Sequence, residues 1–442
     1  MSSKPSIYDI IELQSVDGRT ADIRAGCASI DYYEDLFSPN ISVKIGFINA
    51  GGSIRDSSGQ KVAIYEGLKI RGGEACKFKI LANSRTNQDI DFTRKPLYVR
   101  GIKNLIRQTN RELFTLSLVS KAAVKNEVTF LQKAYTKDAP ISNHVNTILK
   151  ESFPDSKINK VDGTSNKYGF IGNQMKPFEA LIRLASKSVT QVSNNSSAGF
   201  FFYETAEGFN FRAIDSLIQQ DVKAIYIYSE VVETGESYIP TPDLPSLDFK
   251  ISNFQVLKNQ DVVTQLQNGA YATSKRFFNP INFDVSNNQD KFDANQYIGG
   301  VKNLGNRFDT NTLSLSDKSI QFAFESSEIV SEVRDFGTVE KTVTKKPTKN
   351  IDDYVTQRKM RYNTLFTQIV YIQVPLNTNL HAGDIIECRF PKITDATRDE
   401  VDTGQISGIY MIKELNHHFD YLGSYTSMTI LRDTFGLYKT NR

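Results

Sequence analysis

Tryptophan is absent from the 442 residues, and histidine (four) and cysteine (three) are scarce. Cys27, Cys76 and Cys388 are far apart and odd in number, with no CxxC and no Cys/His cluster. That excludes the spacing of a structural zinc site and argues against a disulfide framework, as fits a chain that folds in a reducing cytoplasm. No run approaches the ~20 apolar residues of a membrane helix. The opening MSSKPSIYDIIELQ has no apolar signal-peptide core. A soluble chain, or a subunit of a soluble assembly, is expected. Charge of one sign is lacking too: 53 Lys and Arg stand against 50 Asp and Glu, a net +3. The concentrated basic excess of a nucleic-acid binder is missing.

What is present is an aromatic-rich chain, with 28 Phe and 20 Tyr in an otherwise ordinary globular composition. Its length implies two to four domains and a large core. ISVKIGF (41–47) alternates Ile41, Val43, Ile45 and Phe47 against Ser42, Lys44 and Gly46. GLKIRGGEACKFKIL (67–81), KPLYVRGI (96–102) and NRELFTLSLVS (110–120) read as further strands, the spacing of a sandwich or barrel. From about residue 136 the pattern changes. Ile141, Val145, Ile148 and Leu149 fall at helical spacing, and so do Phe178, Leu181, Ile182 and Ala185 behind Pro177. Residues 199–214 read as a hairpin turning at Gly208. Strands return at 249–257, 264–274, 367–375, 383–391 and 407–432. Residues 285–312, rich in Asn, Asp, Gly and Gln, read as a long loop. Residues 351–366 read as a helix interrupted by Arg358, and 339–350 as an exposed basic excursion.

Two stretches match at one offset of 312: Cys76-Lys77-Phe78 with Cys388-Arg389-Phe390, Tyr98 with Tyr410, and Leu116-Ser117-Leu118 with Met428-Thr429-Ile430. Gly73-Glu74 and Gly383-Asp384 match after a two-residue slip, which keeps strand-face parity. The expected fold is therefore mainly β with α+β insertions. Two barrel- or sandwich-like domains are expected over 1–135 and over 246–283 with 362–436. Residues 136–245 form an inserted α+β domain, 284–361 an insertion with a long loop and a helix, and 437–442 a tail.

No constellation carries chemistry. His417 and His418 are neighbours on a strand, so their side chains point to opposite faces and cannot share one metal. Removing both is expected to cost on the order of a kcal/mol or less, so long as neither is buried and paired. His144 sits on a helix and His381 before a turn. Gly51-Gly52 lacks a following Gly-Lys-Ser/Thr. Glu204 and Glu207 fall at a hairpin tip, where both are expected to be solvated, and no GxSxG elbow is present. Lys341, Lys345, Lys346 and Lys349 have no interleaved aromatics. No catalytic, cofactor-binding or metal-ligating residue is assigned, and no cofactor is expected.

Several segments together resemble the central baseplate hub subunits of contractile-tailed, T-even-like bacteriophages. They are YYEDLFSPNISVKI (32–45), KPFEALIRLASKSV (176–189), GFFFYETAEGFNF (199–211), IVYIQVPLNTNLHAGDIIECRFP (369–391) and SGIYMIKELNHHFDYLGSYTSMTILRD (407–433). Similar patterns occur in type VI secretion spike proteins. The resemblance implies two barrels similar to tail-tube subunits with a domain inserted between them. It also implies a non-enzymatic homotrimer whose six barrels give a pseudo-sixfold ring. Such a ring would join a hexameric tail tube, or tube-initiator ring, to a trimeric spike, among surrounding baseplate proteins. It would leave a channel for DNA in transit and bind no membrane. The implied location is the virion tail baseplate, assembled in the bacterial host cytoplasm. The alternative is a tail-associated cell-wall hydrolase or glycan-binding tail protein.

Overall fold

The computed structural model describes residues 5–49, 54–55, 60–83, 87–108, 111–191, 198–228, 249–270, 272–279, 284–293, 303–305, 328–333, 355–390 and 406–434. Gly51-Gly52, the basic excursion 339–350 and the tail 437–442 lie outside these residues.

The fold is mainly β, with an α+β unit set into it. Chain order gives β1 (Ile7–Gln14), β2 (Cys27–Asp35), β3 (Ser42–Asn49), β4 (Ala75–Leu81), β5 (Leu97–Gln108) and β6 (Arg111–Val119). The α+β unit follows: α1 (Ile141–Ser152), α2 (Pro177–Lys187), the hairpin β7 (Phe200–Thr205) and β8 (Gly208–Ala213), and the short α3 (Ile214–Ile218). Next come β9 (Ala224–Tyr228), β10 (Asn253–Asn259), α4 (Val262–Gln267), β11 (Ala272–Asn279), β12 (Asp284–Asp293) and α5 (Val355–Thr364). The chain closes with β13 (Gln368–Pro375), β14 (Ile385–Arg389), β15 (Gly408–Asp420) and β16 (Ser424–Arg432).

Two sets of five strands share one antiparallel pairing order. In the first, β2 pairs β3, β3 pairs β6, β6 pairs β5 and β5 pairs β4. In the second, β10 pairs β13, β13 pairs β16, β16 pairs β15 and β15 pairs β14. Alternating side chains bury one face of most of these strands, as in β6, where Phe114, Leu116 and Leu118 are buried; β10 has no buried residue. The strands of both sets, expected from sequence as two barrel- or sandwich-like domains, belong to one 15-stranded hydrogen-bonded network with one continuous core. The link is β15. Its first residues pair with β14, and from Glu414 to Asp420 the same strand pairs with β2 of the first set.

The repeat is present strand by strand, but not at one offset. In β6 and β16 the shift is 312: Leu116 faces Ile45 on β3 as Met428 faces Ile372 on β13. At the turns before β4 and β14 the glycine-acidic pair sets the match. Gly73 N–H donates to Val99 O (2.8 Å) and Val99 N–H to Glu74 O (2.9 Å), while Gly383 N–H donates to Ile412 O (2.8 Å) and Ile412 N–H to Asp384 O (2.9 Å). Both glycines have positive φ, +91° and +88°, which explains the residue type at that position. Val99 thus corresponds to Ile412, a shift of 313, and Tyr98 corresponds to Met411 rather than Tyr410. The two tyrosines lie in equivalent strands on opposite faces: Tyr410 is fully buried and Tyr98 only partly so. Cys76 corresponds to Ile386, two residues before Cys388, on the same face.

Other departures from the sequence reading have local causes. Residues 262–267 are helical rather than extended because the Asp261 carboxylate caps the Thr264 N–H at 3.1 Å. Asp284–Asp293, read as loop, is a strand paired with β11; β11 also pairs with Glu328–Val333, in a small sheet separate from the main one. In α2, Ile182 is 47% exposed and Leu184 takes its place in the core. The core of the α+β unit joins Ile141, Val145, Ile148 and Leu149 of α1 to Phe178 and Leu181 of α2 and Phe202, Phe209 and Phe211 of the hairpin.

Met428→Asp places a carboxylate at a fully packed position of β16. It should remove more than about 3 kcal/mol of stability, or prevent folding. Chemical denaturation checks this, and a loss below about 1 kcal/mol would contradict the register.

Candidate functional site

The polar side chains that sequence left unassigned converge where β2, the β7–β8 hairpin and the turn before β14 meet. Glu34 is fully buried on β2. Its carboxylate accepts from the Tyr32 hydroxyl at 2.6 Å, the Ala206 N–H at 2.8 Å and the Ala382 N–H at 3.0 Å. His381 Nδ1 lies 3.1 Å from the same carboxylate. Burial opposes the Glu34 charge, but His381, Tyr32 and the Ala206 N–H outweigh it and hold the carboxyl below the usual range. Burial likewise works against protonated His381, and Glu34 overrides it, raising the imidazole's pKa. Asp384 accepts from the His381 N–H (2.8 Å) and pairs with Lys223 (2.8 Å), which places the segment before β9 in the same junction. One carboxylate thus ties the first strand set, the α+β hairpin and the second strand set together.

The strand-parity argument for the adjacent histidines holds. His417 points into the core, hydrogen-bonded to Thr426 Oγ1 at 2.9 Å and stacked on Tyr32 at 5.9 Å. Burial lowers its pKa to about 4, so it is neutral at pH 7. His418 points the other way, to Asp31 at 2.7 Å, and that hydrogen bond raises its pKa. The expectation that losing both would cost little does not carry over to His417, which is buried and paired. His144 is also buried, with Nε2 3.0 Å from Thr136 O. Among the described residues no group of three or more His, Cys, Asp or Glu side chains has metal-holding geometry.

Glu204 is not solvated at the hairpin tip as expected. It is buried and accepts from the Ile41 N–H at 3.1 Å, and burial pushes its pKa up to about 7. Glu207 stays exposed and accepts from Asn159. Glu34 and Glu204 therefore form a pair of carboxyl groups whose environments push their pKa values apart, the chemistry of a general acid and base. Both are enclosed by protein, Glu34 holding two backbone N–H groups and Glu204 one, so each ties neighbouring segments together.

A second buried charge escaped the sequence reading. Arg361 on α5, fully buried, donates to Asp215 of α3 and to Asp433 after β16, each at 2.8 Å. It pins the helix of the interrupting segment to the α+β unit and to the end of the last strand. The only sequence signal was an arginine at a helix position that the apolar pattern would bury.

No protein-family model matches the chain. In sequence the chain is similar to a probable baseplate hub protein, gp334, of Vibrio phage KVP40. The two are 20% identical over 355 residues, covering 78% of this chain and 75% of that one. In structure it is similar to the 43 kDa tail protein of prophage MuSo2 from Shewanella oneidensis, with a TM-score of 0.52 and 10% identity over 96% of this chain and 98% of the other. A tail protein from Neisseria meningitidis MC58 gives the same TM-score and identity, over 97% of each chain. The solved structures show a shared fold.

Two outcomes check the junction. Glu204 has a folded pKa above its unfolded value, so the stability it contributes is present at pH 4.5 and below and is lost as pH rises through about 7. Glu204→Gln removes that loss. The variant should gain on the wild type by about 1–3 kcal/mol between pH 4.5 and 8 in urea titrations, and a constant difference would refute the assignment. His417→Ala should cost about 2–4 kcal/mol and His418→Ala no more than about 1 kcal/mol, since only the first empties a packed, hydrogen-bonded site.

Proposed function

We propose that the chain is a structural subunit of a phage tail baseplate, of the central-hub kind. In this reading three copies form a ring in which the two strand sets of each chain alternate, giving six similar positions around a channel. One face meets the tail tube or its initiating ring and the other a trimeric spike, within the surrounding baseplate proteins. DNA touches the channel only in passage. The particle is assembled in the host cytoplasm and ends in the virion tail, with no membrane contact. The domain partition that serves this reading is the one drawn from sequence, 1–135, 136–245, and 246–283 with 362–436. It is amended in one respect: β11 lies in the separate small sheet, so the second strand set is interrupted from just after β10 to β13.

The observation that carries the proposal is the duplication itself, two five-strand sets with one pairing order, fused through β15 into a single sheet. A chain built so can occupy two neighbouring positions of a sixfold ring as one rigid piece. The sequence likeness to a baseplate hub protein agrees with it. The competing reading, a tail-associated wall hydrolase or glycan binder, would use paired carboxylates in an open groove. The carboxylates with perturbed pKa values at the hairpin are closed off instead.

Native mass spectrometry of the purified chain, alone and with the phage's spike protein, should give a threefold species. A monomer or dimer persisting in the presence of the spike would overturn the ring. A peptidoglycan-clearing assay should be blank, and clearing would reinstate the hydrolase reading.

A further inference from the structure

The two strand sets differ in how the outer edges of β5 and β15, and of β2 and β10, are used. In the second set, β15 uses one edge against β16 from Met411 to Phe419. Its other edge serves β14 from Gly408 to Met411 and then β2 from Glu414 to Asp420. In the first set, β5 uses one edge against β6 along its length. Its other edge pairs with β4 only at Leu97 and Tyr98. Among the described residues nothing continues that edge over Lys103–Gln108, the part equivalent to the stretch of β15 that holds β2. The converse gap lies in the second set. β2 is paired on both edges, by β3 and β15, whereas among the described residues its equivalent β10 is paired by β13 alone. Among the described residues the chain therefore carries one filled copy of a strand–strand joint, an open donor edge on β5 and an open acceptor edge on β10.

The open edges are apolar where a sealed joint would need them to be. Leu105 and Ile106 on β5 are 40% and 53% exposed, and Val256 and Leu257 on β10 are 37% and 51% exposed. Long exposed edges with apolar side chains invite another strand. Within one chain the two edges belong to different ends of the repeat. A donor at one end and an acceptor at the other is a head-to-tail arrangement, which closes into a ring when the rotation between copies is a whole fraction of a turn.

We propose that β5 of one copy pairs antiparallel with β10 of a second copy, reproducing between chains the β15–β2 joint that each chain already contains. The internal joint fixes the register. His418 faces Asp31 and stands opposite Tyr425 on β16, as Ile106 stands opposite Leu113 on β6. Asp31 stands opposite Lys44 on β3, as Gln255 stands opposite Tyr371 on β13. Ile106 of one chain thus faces Gln255 of the next. Leu105 meets Val256 beside them, where the internal joint has His417 against Tyr32. This rests on the ring assembly proposed above and names its interface.

The test uses two full-length variants, Ile106→Cys and Gln255→Cys, mixed under mild oxidation. Facing positions on neighbouring strands lie within reach of a disulfide. A covalent dimer should form in the mixture and not in either variant alone. It should not form when Gln255→Cys is replaced by Ile182→Cys, on the exposed side of α2. A threefold mass without that dimer would overturn this interface and leave the ring standing. A chain that stays monomeric with the spike present would overturn both. As a second arm, Leu105→Asp with Ile106→Asp should leave the melting temperature of the monomer within a few degrees of wild type, because both side chains are already exposed. It should raise the concentration needed for the threefold species at least tenfold, and unchanged assembly would overturn the proposal.

Discussion

The structure depends on one strand serving two masters. Gly408–Asp420 begins as the partner of β14 and ends as the partner of β2, so its backbone hydrogen bonds hold the two strand sets at a fixed angle and register. A flexible linker between two barrels would leave their relation to chance. A shared strand makes it as rigid as the sheet, because sliding it by one residue would turn every side chain to the wrong face. Glu34 sits on β2 opposite Leu415 in this crossing, and its carboxylate gathers the hairpin and the Ala382 turn around the same point.

Buried charges at such crossings specify more than they stabilise. Removing Glu34, Asp384 or Arg361 from water costs several kcal/mol each, and their partners return about as much. What they add is discrimination. Arg361 accepts no arrangement of α5 in which Asp215 and Asp433 are not both within reach, whereas an apolar side chain there would tolerate many. Three such points connect the first strand set, the α+β unit, the interrupting helix and the last strand. They are the positions where an apolar core alone would leave the packing of parts underdetermined.

Much of this was legible in the sequence. Period-two alternation marked β3 and β6, helical spacing marked α1 and α2, and a glycine marked the hairpin turn, since each is a local property. The opposite orientation of His417 and His418 followed from strand geometry alone. The duplication was visible, but its register was not. A single offset paired Tyr98 with Tyr410, while hydrogen bonding at Gly73 and Gly383 moves that strand by one residue. Bulges and loop lengths set the register, and they leave no mark in side-chain type. The burial of Glu204 was missed because a hairpin tip is solvated unless something packs on it, and here β2 and the Ile41 backbone do. Arg361 was missed for the same reason: its partners are 146 and 72 residues away.

Duplication within one chain has a consequence that six separate identical subunits could not offer. The two strand sets are free to diverge while remaining fused. They have done so on one flank, where β4 receives β1 antiparallel and its equivalent β14 receives β9 in parallel. They have also done so in content, since the second set carries a helix, a small sheet and α5 between β10 and β13, where residues 36–41 alone join β2 to β3 in the first. In the proposed ring, strand edges that repeat six times would preserve near-sixfold order around the channel. The insertions, present on alternate positions only, would impose threefold order away from it. The same backbone then carries two symmetries, with the conserved pairing order serving one and the divergent attachments the other.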